Sequence, residues 1–348
     1  MASKIAVKCG KLLIGGGNTV LVQSMTNTDT TDIEATLCQI DELKEAGCEL
    51  VRVSVPTRKA AEAFKQIVLK TDIPICADIH FSVELAIKAC EYGAAKVRIN
   101  PGNIPFDKRF DNFLDAMKDS GAALRIGVNG GSLKEEYRGL DKADAMIMSA
   151  RKYVQRFENA GFYNIVLSAK DTNILTTIEV NRRLFKEFPY PIHIGITEAG
   201  TYETGLIKNS VGIGALLLEG IGDTIRYSLS ANPVHEVIAA RKLLNALKLR
   251  NDMAEVIACP TCARTEFDVM GIAEQTEKLV RGIKKPLKIA VMGCVVNGIG
   301  EGRDADFGIA GGKEKSVLFV KGQKVKTVEN DKIIDTIKET LEGFIKNE

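Results

Sequence analysis

The chain has 348 residues, of which 45% are hydrophobic and 26% charged, a balance typical of a globular protein. This length suits one large domain and a smaller one, each with its own core. Lys and Arg number 47 against 45 Asp and Glu, a net charge of +2, so no global positive field attracts nucleic acid or an anionic membrane.

The amino-terminal segment has no apolar stretch of signal-peptide length, and nowhere do 18 apolar residues follow one another without a charge. We therefore expect a soluble, cytoplasmic protein that binds neither membrane nor nucleic acid. In such a protein the eight cysteines are more often reduced thiols or metal ligands than disulfides.

The first 250 residues open with a predicted β-hairpin that turns on Gly15, Gly16 and Gly17 and either plugs a barrel or forms an ordered arm. Eight β-rich runs then alternate with amphipathic segments of helical apolar spacing. The strands are predicted at 19–25, 49–55, 73–79, 94–100, 123–129, 163–169, 190–196 and 224–230. Eight such units predict an α/β fold, a (β/α)8 TIM-like barrel over residues 1–250.

The polar segment 250–252 marks a domain boundary, and residues 253–348 predict a small α+β domain. Its order is strand, helix, strand, a turning Gly-rich loop at 292–306, strand, hairpin and closing helix.

Basic residues interrupt five of the predicted barrel strands, although parallel barrel strands usually read as almost continuous apolar runs. An internal ion pair with Asp78 would explain one of these cations, but acidic partners are too few for five. Most lie toward the carboxyl ends of the strands, where barrel active sites are built. They predict a pocket for a diphosphate, to which the backbone amides of 129–133 could add donors. The cations are Arg52, Arg98, Arg125, Lys170 and Arg226.

Cys259 and Cys262 form a C-x-x-C pair directly after a predicted strand of the small domain. The pair alone fits a redox dithiol, half of a zinc site or half of an iron-sulfur site. Cys294 closes another strand of the same domain, and three thiols suit neither a dithiol nor a four-cysteine zinc site well. The other cysteines are interpreted as structural: Cys9, Cys38, Cys48, Cys76 and Cys90.

Glu301 is the candidate for a fourth ligand, seven residues beyond Cys294 on the Gly-rich loop. A hard carboxylate oxygen among three soft thiolates would be an exchangeable ligand, which suits a catalytic site. The alternative is a solvated loop charge near Arg303.

The pairing of "CPTCART" (259–265) with "MGCVVNGIGEGRDAD" (292–306) resembles the bacterial 4-hydroxy-3-methylbut-2-enyl diphosphate synthases of the non-mevalonate isoprenoid pathway. The resemblance runs from about residue 5 to the end and includes "VRVSVP", "ADIHF", "KVRINPGN", "LRIGVNGGSL" and "HIGITEAG". Two positions depart from the family pattern: Ala263 replaces a usual Gly, and Ile299 replaces a usual Pro.

This resemblance implies a [4Fe-4S] cluster on Cys259, Cys262, Cys294 and Glu301, and a substrate, 2-C-methyl-D-erythritol 2,4-cyclodiphosphate, in the barrel mouth. It implies Glu198 as the candidate acid/base carboxylate. It also implies flavodoxin or ferredoxin as electron donor, and a homodimer in which the cluster domain of one chain covers the barrel of the other. The implied substrate contacts are Arg52, His80, Arg98, Arg125, Asn129, Lys170, Arg226 and Ser228.

We therefore predict an iron-sulfur oxidoreductase that opens the cyclic diphosphate by two-electron reduction and releases water. Glu198 or His80 would transfer the proton. Glu301 would dissociate from the iron so that the substrate oxygen can bind there. Two alternatives remain at this point: a three-cysteine zinc hydrolase of a phosphorylated small molecule, and a redox sensor or scaffold, which would need the cluster but not the cationic pocket.

Overall fold

The structure, a computed structural model, describes residues 3–104 and 108–346, except for the side chains at positions 296 and 297. The chain divides into two compact units, Met1–Arg250 and Asn251–Glu348. No helix within the described ranges combines the length and the apolar character that crossing a membrane requires.

An antiparallel hairpin of β1 (Ala6–Cys9) and β2 (Leu12–Gly15) opens the first unit. The chain turns at Gly10, with φ +58°, so the turn predicted at 15–17 was wrong. Pairing of Cys9 with Leu12 leaves only two residues for the turn, and Gly15 instead ends β2. The hairpin plugs the barrel at the amino-terminal ends of its strands, where one apolar cluster contains Val7, Cys9, Ile14, Leu21, Leu50, Cys76, Ala123 and Val166.

Eight strands, each followed by a helix, make up the rest of this unit. In chain order they are β3 (Leu21–Met25), α1 (Ile33–Glu45), β4 (Leu50–Val55), α2 (Arg58–Lys70), β5 (Ile75–Ile79), α3 (Val83–Glu91), β6 (Lys96–Ile99), α4 (Arg109–Ser120), β7 (Ala123–Asn129), α5 (Lys142–Asn159), β8 (Ile165–Lys170), α6 (Ile174–Glu187), β9 (His193–Ile194), α7 (Tyr202–Leu218), β10 (Thr224–Ile225) and α8 (Pro233–Ala246). Side chains that accept a backbone N–H cap six of these helices at Asp32, Thr57, Ser82, Asp141, Asn173 and Asn232.

All eight strands pair in parallel, in the order β8-β7-β6-β5-β4-β3-β10-β9. A parallel bridge between Leu167 in β8 and Ile192, just before β9, closes the ring. β9 and β10 are two-residue strands, much shorter than the predicted 190–196 and 224–230. The predicted barrel is confirmed.

Alternate residues of each strand face opposite sides, which explains how charges fit into buried strands. In β4, Val51, Val53 and Val55 belong to the large core that also contains the helix residues. Arg52 lies between them in sequence and therefore points toward the barrel axis. Only the strand residues that face the helices must therefore be apolar, and residues that face the barrel axis can be charged.

The second unit is an α+β domain around one five-stranded sheet. Its elements are β11 (Glu255–Ala258), α9 (Val269–Leu279), β12 (Lys288–Met292), α10 (Val295–Glu301), β13 (Phe307–Ala310), β14 (Lys315–Val320), β15 (Gln323–Glu329) and α11 (Ile333–Lys346). The strands follow chain order in the sheet. β11, β12 and β13 run parallel, β14 is antiparallel to β13, and β15 is antiparallel to β14. This confirms the predicted fold class.

Candidate active site

Five basic side chains converge on the barrel axis, four of them from β4, β6, β7 and β8 and the fifth from the residue that follows β10. Arg98 and Arg125 are direct partners across β6 and β7, and Arg52, on β4, pairs with a residue of β5. Four of the five are at most 9% exposed, and the Arg226 side chain is 16% exposed. The structure therefore brings together the cations predicted from separate strands.

Two glycines make room for these long side chains. A Cβ atom at Gly127 would lie 2.8 Å from Arg98 Nε, and one at Gly195 would lie 2.7 Å from Lys170 Nζ. Any other residue at these positions would compete with a cation for space. Neither glycine was predicted from the sequence to be part of the site.

Asp78 is the acidic centre of one half of the pocket. Its Oδ1 accepts a hydrogen bond from Arg98 Nη1 at 2.9 Å, and its Oδ2 lies 3.6 Å from Arg52 Nε. Burial alone would raise the pKa of Asp78, but Arg52 and Arg98 hold it well below its usual value. Asp78 therefore stays ionised and partly neutralises these two arginines.

Arg125 has no acidic partner among the described residues. It is 1% exposed, and its Nη2 donates to Ser168 Oγ at 3.0 Å. Its Nε and Nη1 have no hydrogen-bond partner in the described structure. Burial, Arg52 and Arg98 lower the pKa of Arg125, yet guanidinium groups keep their proton in proteins. Arg125 therefore presents an uncompensated charge and two unused donors to the interior.

Lys170 and His193 are buried beside Arg125. Burial, followed by Arg125 and Arg226, lowers the pKa of Lys170 well below its usual value. Burial and Arg125 do the same for His193, whose Nδ1 lies 2.8 Å from Thr224 Oγ1. Burial is the largest cause of both shifts, and repulsion from the neighbouring cations adds to it; a bound anion would relieve this repulsion.

Arg226 is held by Glu236, which the sequence analysis missed. The Glu236 carboxylate, on α8, accepts from Arg226 Nε at 3.2 Å and from Nη2 at 3.3 Å. Met25 Sδ contacts Arg226 and also lies 2.8 Å from Nη2 of Arg52. An acidic residue within the buried stripe Pro233, Glu236, Val237 and Ala240 was the signal that could have identified Glu236.

The remaining predicted residues lie after strand ends. His80 follows β5, is 35% exposed at its side chain, and places Nε2 3.4 Å from Asp78 Oδ2. Asn129 ends β7 and is half-buried, and Ser228 lies beyond β10 with its carbonyl accepting from Asn209 Nδ2. Glu198 lies beyond β9, is exposed and has φ +50°, a left-handed backbone that is unusual for glutamate.

In the second unit, the strand ends bring two cysteine segments together. β11 and β12 are adjacent and parallel, so Cys259, directly after β11, lies beside Gly293, which directly follows β12 and precedes Cys294. The Gly293 N–H donates to Cys259 Sγ at 3.1 Å. Cys262 lies in the following turn, where its N–H donates to Thr265 Oγ1 at 3.0 Å.

Residues 295–301 form a helix, so the prediction of a Gly-rich loop there was wrong. Small residues let this helix pack closely: a Cβ at Gly298 would lie 2.9 Å from Met292 Cβ, and one at Gly302 would lie 2.6 Å from Phe319. Seven residues span about 10 Å along a helix and nearly two whole turns. Glu301 therefore lies on the same helix face as Cys294, but at the other end.

The four predicted ligands are not gathered into one closed set. Within the described ranges, no three His, Cys, Asp or Glu side chains stand close enough together to hold a metal ion. The donor chemistry nevertheless fits an iron-sulfur cluster, since three thiols follow the ends of the neighbouring strands β11 and β12 and one already accepts a backbone N–H. Hydrogen bonds from the backbone and side chain of Arg264 lower the pKa of Cys262, which favours the ligating thiolate.

Proteins of known fold support the barrel. Dihydropteroate synthases from Stenotrophomonas maltophilia and Burkholderia cenocepacia superpose with TM-scores of 0.53 each, at 18% and 14% identity. The matches cover 70% and 71% of this chain and 97% and 96% of those proteins. At such identity the likeness concerns the fold alone.

Sequence relatives match nearly the whole chain. Proteins named 4-hydroxy-3-methylbut-2-en-1-yl diphosphate synthase (flavodoxin) are 49% identical in Caldanaerobacter subterraneus subsp. tengcongensis, 44% in Fusobacterium nucleatum and 45% in Bacillus subtilis. The matches cover 98%, 98% and 97% of this chain and 97%, 97% and 90% of the relatives. These relatives lend no support to the zinc-hydrolase alternative.

Each of the two units matches a family model. Residues 4–241 match the family described as the GcpE TIM-barrel domain, and residues 255–343 match the GcpE protein C-terminal domain. The chain therefore belongs to the GcpE family over almost its entire length.

Proposed function

We propose that the chain is an oxidoreductase that converts 2-C-methyl-D-erythritol 2,4-cyclodiphosphate to 4-hydroxy-3-methylbut-2-enyl diphosphate. The reaction takes up two electrons and two protons and releases one water. The C–O bond to one phosphate and a C–OH bond break, and a C=C bond forms. The shared name of the relatives and the cationic barrel interior support this activity.

The excess of buried positive charge is the observation that carries the substrate proposal. Asp78 offsets part of the charge of Arg52 and Arg98, and Glu236 offsets that of Arg226. Arg125 is buried without an acidic partner within the described ranges, so a multiply charged anion would remove a cost of several kcal/mol. We assign diphosphate binding to the barrel of residues 1–250, through Arg52, Arg98, Arg125, Lys170 and Arg226.

Residues around the rim would orient the rest of the substrate. We assign substrate contacts to His80, Asn129 and Ser228. Glu198 is exposed at the end of β9, where a carboxylate can exchange protons with solvent. We propose Glu198 as proton donor, with His80 as the second candidate, because its Nε2 atom lies at the rim, 3.4 Å from Asp78 Oδ2.

Cluster binding is assigned to residues 253–348, through Cys259, Cys262, Cys294 and Glu301. When bound, a [4Fe-4S] cluster would supply electrons one at a time and a Lewis-acidic iron. The Gly293 N–H and the Arg264 guanidinium would hold the thiolates in place and stabilise their charge.

We further propose that flavodoxin or ferredoxin delivers the electrons and that the enzyme acts in the cytoplasm as a homodimer. The names of the relatives include flavodoxin in parentheses, which supports flavodoxin as the electron donor. Light scattering of the purified protein should give the mass of two chains, about twice 37.8 kDa. A monomer that is fully active would contradict the dimer.

Anaerobic purification followed by a turnover assay tests the function. We expect a brown protein whose broad visible absorbance bleaches on reduction and which consumes the cyclic diphosphate with reduced flavodoxin. A colourless, zinc-loaded protein that hydrolyses phosphate esters would refute the proposal. A brown protein that neither binds nor converts the cyclic diphosphate would favour the sensor alternative.

A further inference from the structure

Glu236 is a buried carboxylate that connects three segments at the carboxyl end of the barrel. It is 3% exposed and accepts four hydrogen bonds. Two come from Arg226, one from Ser24 Oγ at 3.0 Å, and one from the Leu229 N–H at 3.1 Å. It therefore ties the ends of β3 and β10 to helix α8.

The start of α8 directs this carboxylate inward. The Asn232 side chain accepts from the Val234 N–H, and Pro233 occupies the first helical position. Glu236 then falls on the same buried stripe as Pro233 and Val237. A carboxylate on this stripe is costly to bury unless it is paired, and Arg226 supplies the pairing.

The pairing leaves a defined part of Arg226 unused. Glu236 engages the Nε–Nη2 edge of the guanidinium through two bonds, which fixes the plane of the group. Among the described residues, the one hydrogen-bond contact of the Nη1 atom is with Met25 Sδ, at 3.8 Å, and a thioether is a weak, neutral acceptor. Arg226 is thus held on one edge while its other edge can donate to an anion.

We propose that Glu236 is a positioning residue for substrate binding, which orients Arg226 so that its Nη1 edge meets a phosphate group. This inference rests on the proposed function. Two effects of Glu236 oppose each other: its negative charge repels an anion, whereas its two bonds preorganise the arginine. Preorganisation dominates, because an unclamped Arg226 would have several rotamers to lose on binding.

A double-mutant cycle on the full-length, cluster-loaded protein tests the proposal. The variants are Glu236→Gln, Arg226→Gln and the double variant, and the probe is 2-C-methyl-D-erythritol 2,4-cyclodiphosphate. We expect Glu236→Gln to raise Kd and KM by roughly 10- to 100-fold with a smaller effect on kcat. The double variant should bind about as weakly as Arg226→Gln alone, since Glu236 acts through Arg226.

Glu49→Gln is the matched control. Glu49 also pairs with an arginine, at 3.1 Å from Arg250 Nη1, and also accepts a backbone N–H, from Val22 at 2.9 Å. It lies at the amino-terminal end of the barrel strands, so its loss should leave Kd unchanged. A purely structural role for Glu236 would give the two Gln variants similar Kd values.

Arg226→Lys provides a second test that leaves the carboxylate in place. Lysine keeps the charge but cannot make the two-bond fork, so this variant should also bind weakly. Unchanged or tighter binding in Glu236→Gln or Arg226→Lys, or weakening that adds fully in the double variant, would overturn the inference alone. If the unmodified protein does not bind the cyclic diphosphate, the proposed function itself fails.

Discussion

Replacing Arg125 with Met should stabilise the barrel and at the same time abolish tight diphosphate binding. Arg125 is buried without an acidic partner, and its Nε and Nη1 atoms make no hydrogen bond within the described structure. Methionine has a similar length, is apolar, and adapts to irregular space. The substitution therefore removes the charge with little loss of packing.

The expected change in the free energy of unfolding follows from two opposing contributions. Desolvating a buried charge costs several kcal/mol, and the bond to Ser168 returns roughly 1.5–3 kcal/mol. Relief of repulsion from Arg98, its direct partner across β6 and β7, adds to the gain. We expect the free energy of unfolding to rise by about 1–3 kcal/mol.

Binding should change in the opposite direction. Two charge-assisted bonds to phosphate are worth at least about 3 kcal/mol together. Their loss corresponds to an increase in Kd of more than roughly 100-fold. Stability and affinity would therefore be anticorrelated at this one position.

Urea denaturation followed by circular dichroism, and calorimetric titration with the cyclic diphosphate, measure the two quantities. Arg151→Met is the control, because Arg151 forms an exposed pair with Glu187 and its loss should change stability by less than about 0.5 kcal/mol. If Arg125→Met is less stable than the unmodified protein in the absence of ligand, the assignment of Arg125 as an uncompensated cation is wrong.

Three further outcomes follow from the site. Glu301→Ala should keep the fold and lose most turnover. Asp304→Ala, which removes an exposed carboxylate three residues later, should remain active. Equal activity of the two variants would exclude Glu301 as a ligand. Cys262→Ser should lose the visible absorbance of the reconstituted protein, whereas Cys38→Ser, at an exposed thiol on α1, should retain it. Diphosphate binding should take up protons and weaken as pH rises, because burial and the neighbouring arginines lower the pKa of Lys170 in the free protein and a bound anion would raise it again. Titration in buffers of different ionisation enthalpy measures this uptake, and identical heats in all buffers would refute it.

The barrel and the separate α+β domain were predictable from the sequence alone, because both depend on local periodicity. Alternating strand and helix patterns recur eight times before residue 250, and this count admits few other folds. It also identified the five cations and three thiols, since charged residues inside apolar strands and cysteines at strand ends are visible without coordinates. The predicted bounds were least accurate for β9 and β10, where only two residues of each described strand pair with a neighbouring strand.

Which charges are compensated depends on long-range contacts of the fold. Asp78 and Arg98 lie 20 residues apart and Ser24 and Glu236 lie 212 apart, and strand register and helix docking, not sequence spacing, bring them together. The helix at 295–301 was hidden for a related reason: its glycines resemble a loop in isolation, but they are needed where the helix packs against Met292 and Phe319. Burial therefore determines the meaning of these residues, and burial is a property of the whole fold.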